Sequence, residues 1–251
     1  MAQKLALITG SASGIGYEIS RTFVKSGYRV IGIDINQRGL DLAHEEMGNN
    51  FSGMVCDISS IEQIKAVADF VQSEYGRLNT LINNAGVGKF ISLEDMTESD
   101  YLFHFDTLLK GPMFLAKYSM HLLQKSEQSS IINIASAVGQ IEIDNHHLYS
   151  CAKLALEKFT RHLVRDYPGI RSNTILPGLI DTPIYRTTGL DDQQIADTFA
   201  QISKTVPCGR IGKPEDIANC ALFLSSPAAS YINGASIPVD GGWLHSANWG
   251  I

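Results

Sequence analysis

The sequence predicts an α/β fold, a doubly wound parallel sheet of seven strands with helices on both faces. Two observations carry that prediction. Short apolar runs alternate along the chain with longer segments of helical periodicity. The runs are apolar throughout rather than at every second residue, as strands covered on both faces must be.

In order, "KLALITG" is the first strand and residues 14–26 show helix periodicity. "YRVIGID" is the second strand, followed by a polar helix near 37–47. "FSGMVCD" is the third, before a helix over about 61–75, and "LNTLINNAG" contains the fourth. One long helix is expected over about 101–125, and "SSIINIASA" makes the fifth strand. A helix carrying Tyr149 leads to "IRSNTILPG", the sixth strand. Helices over 191–203 and, after Pro214, over 214–224 precede "ASIPVDGG", the seventh. No Gly/Pro/Ser-rich linker or internal repeat divides the 251 residues, so one domain spanning 1–251 is expected.

Composition excludes several function classes. The chain is 44% hydrophobic and 18% charged, which suits a sizeable core. Its net charge of −6 is spread without long runs, against nucleic-acid or anionic-membrane binding. The start "MAQKLALITG" lacks a signal-peptide pattern, and no apolar run approaches membrane-spanning length. A cytoplasmic protein is the expectation. Cys56, Cys151, Cys208 and Cys220 lie far apart, without zinc-ligand spacing, and are expected to be free and mostly buried. The pair His146–His147 has no metal-ligand pattern around it.

"TGSASGIG", Thr9 to Gly16, joins the first strand to the first helix. Glycines at 10, 14 and 16 let the backbone turn sharply and approach a pyrophosphate, whose charge meets the helix N-terminus. Asp34 ends the second strand eighteen residues beyond Gly16, where a carboxylate binds adenine-ribose hydroxyls and repels a 2′-phosphate. Ile35 and Asn36 follow it, with no adjacent cation. NAD is therefore the expected cofactor.

In "HLYSCAK", Tyr149 and Lys153 stand at i and i+4, on one helical face. An ammonium beside a phenol favours the phenolate and lowers its pKa from near 10, as a general base requires.

Taken together, "TGSASGIG", "NNAG" at 83–86, Ser136, "YSCAK" at 149–153, "PGLIDTP" at 177–183 and "GRIGKPEDIA" at 209–218 resemble the short-chain dehydrogenase/reductase family. The likeness covers nearly the whole chain and implies a Rossmann-like fold, hydride transfer with a secondary alcohol or ketone, and a homotetramer. It implies Ser136, Tyr149 and Lys153 as the catalytic set. Tyr149 would be the general acid/base, Lys153 would tune it and hold the nicotinamide ribose, and Ser136 would orient the substrate oxygen. Gly10, Ser13, Gly14, Ile15 and Gly16 would line the pyrophosphate, and Asp34 and Ile35 the adenosine. Asp57 and Ile58 would meet the adenine; Asn83, Asn84, Ala85 and Gly86 would shape the backbone beside the ribose. Pro177, Gly178, Ile180 and Thr182 would fold over the nicotinamide. Simpler readings make Asp57 a helix cap and "NNAG" a turn.

One departure stands out. Many members of the family carry an Asn in the long helix that anchors a water near the lysine; here "FDTLLKG" places Leu108 there. Helix carbonyls exposed by a local distortion could bind that water instead.

The substrate pocket is expected around Val138, residues 142–147, Leu179 and Tyr185, with His147 as a substrate contact and Glu142 and Asp144 as solvated-loop or subunit contacts. Asp34 and the negative total favour an NAD-linked polyol, sugar or other secondary alcohol over an acyl-carrier-protein substrate, whose reductases usually prefer NADP. An acyl-carrier-protein-reductase-like enzyme and a dinucleotide-binding regulator with little catalysis are the alternatives. The segment 184–205 is expected to move. The tail "GGWLHSANWGI" is expected to be covered, by a neighbouring subunit or by its own.

Overall fold

A computed structural model of the protein describes residues 3–187 and 191–246. Seven parallel strands form one sheet in the order β3-β2-β1-β4-β5-β6-β7. They are β1 (Leu5–Thr9), β2 (Arg29–Asp34), β3 (Phe51–Val55), β4 (Thr80–Asn83), β5 (Ser130–Ile134), β6 (Arg171–Pro177) and β7 (Ser236–Val239). The helices are α1 (Gly14–Lys25), α2 (Gln37–Met47), α3 (Ile61–Glu74), α4 (Glu98–Phe105), α5 (Gly111–Leu123), α6 (His147–Asp166), α7 (Asp192–Ser203) and α8 (Pro214–Ser225).

Alternate residues of the inner strands feed two cores. Leu5, Leu7, Ile31 and Leu81 pack with Val67, Leu115 and Leu163 on one face. Ala6, Ile8, Val30 and Ile82 pack with Ile19, Phe23 and Leu224 on the other. Both faces of the inner strands are covered, which is why β1, β4 and β5 are buried along their whole length. Strand order reverses between β1 and β4, so their carboxyl ends open a crevice where an open α/β sheet takes its ligands.

The expected long helix over 101–125 runs without interruption from Glu98 to Leu123, but α4 and α5 are joined inside it by a π turn. Thr97 and Asp100 form a reciprocal cap at the start of α4. Residues Asp106–Lys110 then make a wide π turn, closed by the Gly111 N–H on the Asp106 carbonyl. Pro112 supplies the reason: it has no N–H for the Leu108 carbonyl four residues earlier, and its ring crowds that carbonyl.

The thiols also depart from expectation. Cys56 is buried and Cys220 half-buried, but Cys151 and Cys208 are exposed. Cys151 lies on the outer face of α6, and Cys208 follows α7 in a loop. Trp243 packs into its own chain, 3% exposed, against Ala137, Ile202 and Val206. It is therefore not a tail residue awaiting another subunit, while Trp249 lies outside the described residues. No helix among the described residues is long and apolar enough to cross a membrane.

Candidate active site

The glycine-rich turn leaves β1 at its carboxyl end and enters α1. Gly10 and Gly14 have φ of +71° and +55°, where side chains are strained. A Cβ on Gly16 would stand 2.1 Å from the Gly10 carbonyl oxygen and 2.4 Å from Asn84 Nδ2. The turn is thus bare backbone packed tightly from below, with Ser13 exposed at the helix start and making no side-chain cap. Such a cradle, at a helix N-terminus, fits a pyrophosphate.

Asp34 reaches back to this turn. Its carboxylate accepts from the Ala12 N–H at 3.1 Å and from the Asn36 N–H at 3.0 Å. Beside it, the Ile35 side chain is 71% exposed. The end of β4 is tied to β1 through Thr9, whose Oγ1 accepts from the Asn84 and Ala85 N–H groups at 2.8 and 2.7 Å. Asn84 Nδ2 completes the join on the Thr9 carbonyl at 2.9 Å. Asn83 does something else. Buried within β4, it donates to Asn133 Oδ1 at 2.7 Å, and Asn133 in turn donates to Thr160 of α6. It fastens the sheet to α6 rather than shaping the turn, because a strand side chain points out of the plane that its neighbour Asn84 lines.

Asp57 is not the α3 cap. Ser60 accepts from the Gln63 N–H in that role, while Asp57 Oδ1 holds Ser59 through its N–H and hydroxyl at 2.8 and 2.7 Å. Ile58 beside it is buried.

The loop after β6 closes over the glycine turn. Gly178 N–H donates to the Val239 carbonyl, and the Leu179–Asp181 backbone pairs with Gly212. This brings Thr182 and Pro183 to within 3.5 Å of where a Gly14 Cβ would lie. Pro177 ends β6, and Ile180 of the loop turns its side chain into the core.

Ser136, Tyr149 and Lys153 meet at the carboxyl end of β5. Ser136 follows that strand, is 6% exposed, and caps the short turn over Ala137–Gln140. Lys153, 4% exposed, donates from Nζ to the Ile134 carbonyl at 2.7 Å. Its Nζ lies 5.6 Å from the centre of the Tyr149 ring and 3.9 Å from where a Gly86 Cβ would stand. Leu108 closes the same corner: it is 1% exposed, with Cδ2 3.7 Å from that Gly86 position.

The electrostatics depart from the expected lowering of the phenol pKa. Burial pushes Tyr149 up from the ordinary tyrosine value, and a hydrogen bond from Ser136 offsets only part of the rise. Burial also pushes Lys153 down to about 8. The ammonium is committed to the Ile134 carbonyl and is itself desolvated, so it does not overcome the low-dielectric surroundings of the phenol.

In the loop before α6, His146 rather than His147 is the built-in residue. It stacks on Phe90 at 3.9 Å between ring centres and contacts the Asp144 carbonyl at 2.7 Å, while His147 is exposed. Tyr185 stacks edge-on against Phe199 of α7, and burial, then its proximity to Tyr149, pushes its phenol up. The expected mobile segment 184–205 contains residues 188–190, which lie outside the described residues. Neither the Phe90–His146 nor the Tyr185–Phe199 pairing has a signal in the one-dimensional pattern, because each joins segments distant in sequence.

Comparison with known proteins agrees with this architecture. Residues 10–244 match a family model described as enoyl-(acyl carrier protein) reductase. The chain is 34% identical over 241 residues to 3-oxoacyl-[acyl-carrier-protein] reductase FabG of Vibrio cholerae, covering 95% of this chain and 96% of that protein. It is 30% identical to D-threitol dehydrogenase of Mycolicibacterium smegmatis, covering 96% and 92%. Among solved structures, it overlays on ligand-free aldohexose dehydrogenase of Thermoplasma acidophilum with a TM-score of 0.88 and 32% identity, covering 96% and 93%. The chain belongs to the short-chain dehydrogenase/reductase family. Its relatives are oxidoreductases acting at CH–OH or C=O groups with a nicotinamide dinucleotide.

Proposed function

We propose that this protein is an NAD-dependent dehydrogenase that moves hydride between nicotinamide and a secondary alcohol or ketone, with a polyol or sugar as the substrate class. The convergence of Ser136, Tyr149 and Lys153 beside the glycine cradle carries the reading. The nicotinamide, when bound, supplies the hydride acceptor or donor.

The chain's own groups handle the proton. In the oxidative direction the Tyr149 oxygen takes the proton from the substrate hydroxyl; in the reductive direction it returns one. The Ser136 hydroxyl holds the substrate oxygen and stabilises charge developing there. Lys153 is protonated below about pH 8 and fixed to Ile134, a stationary cation beside the phenol. With its pKa raised, Tyr149 is well suited to donate in the reductive direction at neutral pH, whereas oxidation needs alkaline conditions.

Asp34 supports NAD over NADP: its carboxylate, held beside the turn by the Ala12 N–H, suits ribose hydroxyls and opposes a 2′-phosphate. The exposed Ile35 side chain suits one face of the adenine. Asp57, Ile58, Asn84, Ala85, Gly86, Pro177, Gly178, Ile180 and Thr182 complete the cofactor contacts in this reading. We also infer a homotetramer in the cytoplasm. Tyr101, Leu102, Phe103, Met113 and Leu154 are 39–47% exposed on α4, α5 and α6, an apolar area suited to burial between subunits. A monomer mass by light scattering at micromolar concentration contradicts the tetramer.

Similarity to the FabG reductases favours a second reading, an acyl-carrier-protein-linked ketoreductase. One assay separates the two: polyols and sugars with NAD against a 3-oxoacyl thioester with NADPH, followed by absorbance of the reduced nicotinamide. The first pair turning over supports the proposal, and activity confined to the second replaces it.

A further inference from the structure

A polar cavity of about 370 Å³ lies at the opposite edge of the sheet, where β5 and β6 begin. Arg171, the first residue of β6, lines it with Gln128, Ser129, Ser226, Ser230 and Asn233. No carboxylate is among the lining residues, although the chain as a whole carries a net charge of −6.

The guanidinium there is poorly satisfied. Its Nη2 reaches the Ser226 carbonyl only at 3.4 Å, and Nη1 is shielded from solvent without a hydrogen-bond partner. It pairs with no carboxylate among the described residues. Around it, Asn233 spends its Oδ1 on the Ser172 N–H at 2.8 Å, which turns its amide N–H₂ into the group left for a ligand. The Ser230 hydroxyl adds another donor at the rim. Partial burial without a countercharge costs free energy for an ion, and a half-buried arginine with one shielded, unpaired nitrogen can receive an oxyanion that accepts several N–H and O–H bonds together.

We propose that this cavity is a binding site for a small oxyanion of phosphate type, held by Arg171, Asn233 and Ser230, remote from the carboxyl-edge site. In this reading the guanidinium turns toward the cavity on binding, so that Nη1 and Nη2 meet the anion together and Nη1 gains a partner. Desolvation pushes the Arg171 pKa down, with only Tyr28 acting in the other direction, which agrees with a cation that has no partner of its own. The volume exceeds that of a bare phosphate and leaves room for a small organic group attached to it.

The test uses inorganic phosphate titrated into the full-length protein at constant ionic strength, read by calorimetry and by ³¹P line broadening. Dinucleotide held at saturation keeps phosphate out of the glycine turn. Wild type should bind saturably, and Arg171→Gln should lose at least tenfold in affinity. Gln128→Glu, almost the same shape, places a carboxylate in the cavity wall and should also weaken phosphate at least tenfold. It further keeps the test informative if Arg171→Gln does not fold. No saturable binding by wild type overturns the proposal. So does binding unchanged in Gln128→Glu or in a folded Arg171→Gln, which would put the anion elsewhere.

Discussion

Lys153 holds its ammonium 5.6 Å from the centre of the Tyr149 ring while donating to the Ile134 carbonyl at 2.7 Å. The helix spacing of four residues thus does place the pair on one face, but the lysine's strongest bond is to the sheet. The pair is locked to the end of β5, where Ser136 emerges.

This arrangement predicts a specific dependence of stability on pH. Lys153 has a folded pKa of about 8, depressed from 10.5. Below pH 8 both folded and unfolded states carry its proton, and the folded state bears the full cost of the desolvated charge. Between pH 8 and 10.5 the folded protein sheds that proton first, so stability rises with pH, by as much as about 3 kcal/mol for this group. Tyr149, with its pKa raised, acts in the opposite direction above pH 10. Urea unfolding should show wild type gaining stability relative to Lys153→Met between pH 8 and 10. A constant difference across that window contradicts the assignment.

Asp34→Ala should weaken NAD by about tenfold or more, roughly 1.4 kcal/mol, and change NADP much less, so the preference narrows mainly through NAD. Calorimetry with both dinucleotides checks it. Equal affinities in wild type, or a preference for NADP, remove the role given to the carboxylate that now accepts from Ala12 and Asn36.

Gly16→Ala should damage both fold and cofactor site, because the new methyl would stand 2.1 Å from the Gly10 carbonyl oxygen. An overpacking cost of about 1–3 kcal/mol is expected, with at least tenfold weaker dinucleotide binding. Denaturant midpoint and calorimetry report the two effects separately. An unaltered midpoint would mean that the turn relaxes freely.

Strands and most helices were legible because burial on both faces leaves a local mark: unbroken apolar runs such as residues 5–8 and helix periodicity between them. The glycine turn, Asp34 and the Tyr149–Lys153 spacing were equally local. The π turn inside the 101–125 helix was also written locally, in Pro112, but apolar periodicity continues across it and conceals it. The place of Leu108 in the helix was legible, but its packing against Gly86 and the pKa of Tyr149 were not, since both depend on what folds against them. For Leu108 the outcome is testable: with a wide turn already in place, Leu108→Asn should cost about 2–4 kcal/mol of stability and leave turnover within about threefold. Denaturant unfolding and steady-state rates check this, and a large rise in turnover would show that the side chain limits the proton path.

The central claim is that the Tyr149 hydroxyl transfers the proton, and turnover measured beside dinucleotide affinity for Tyr149→Phe tests it most directly. The ring remains to fill its place, and only the oxygen is lost. Turnover on the substrate found by the alcohol and ketone assay should fall by about 10²–10⁴, with the dinucleotide Kd within about threefold of wild type. Near-wild-type turnover by Tyr149→Phe would contradict the account.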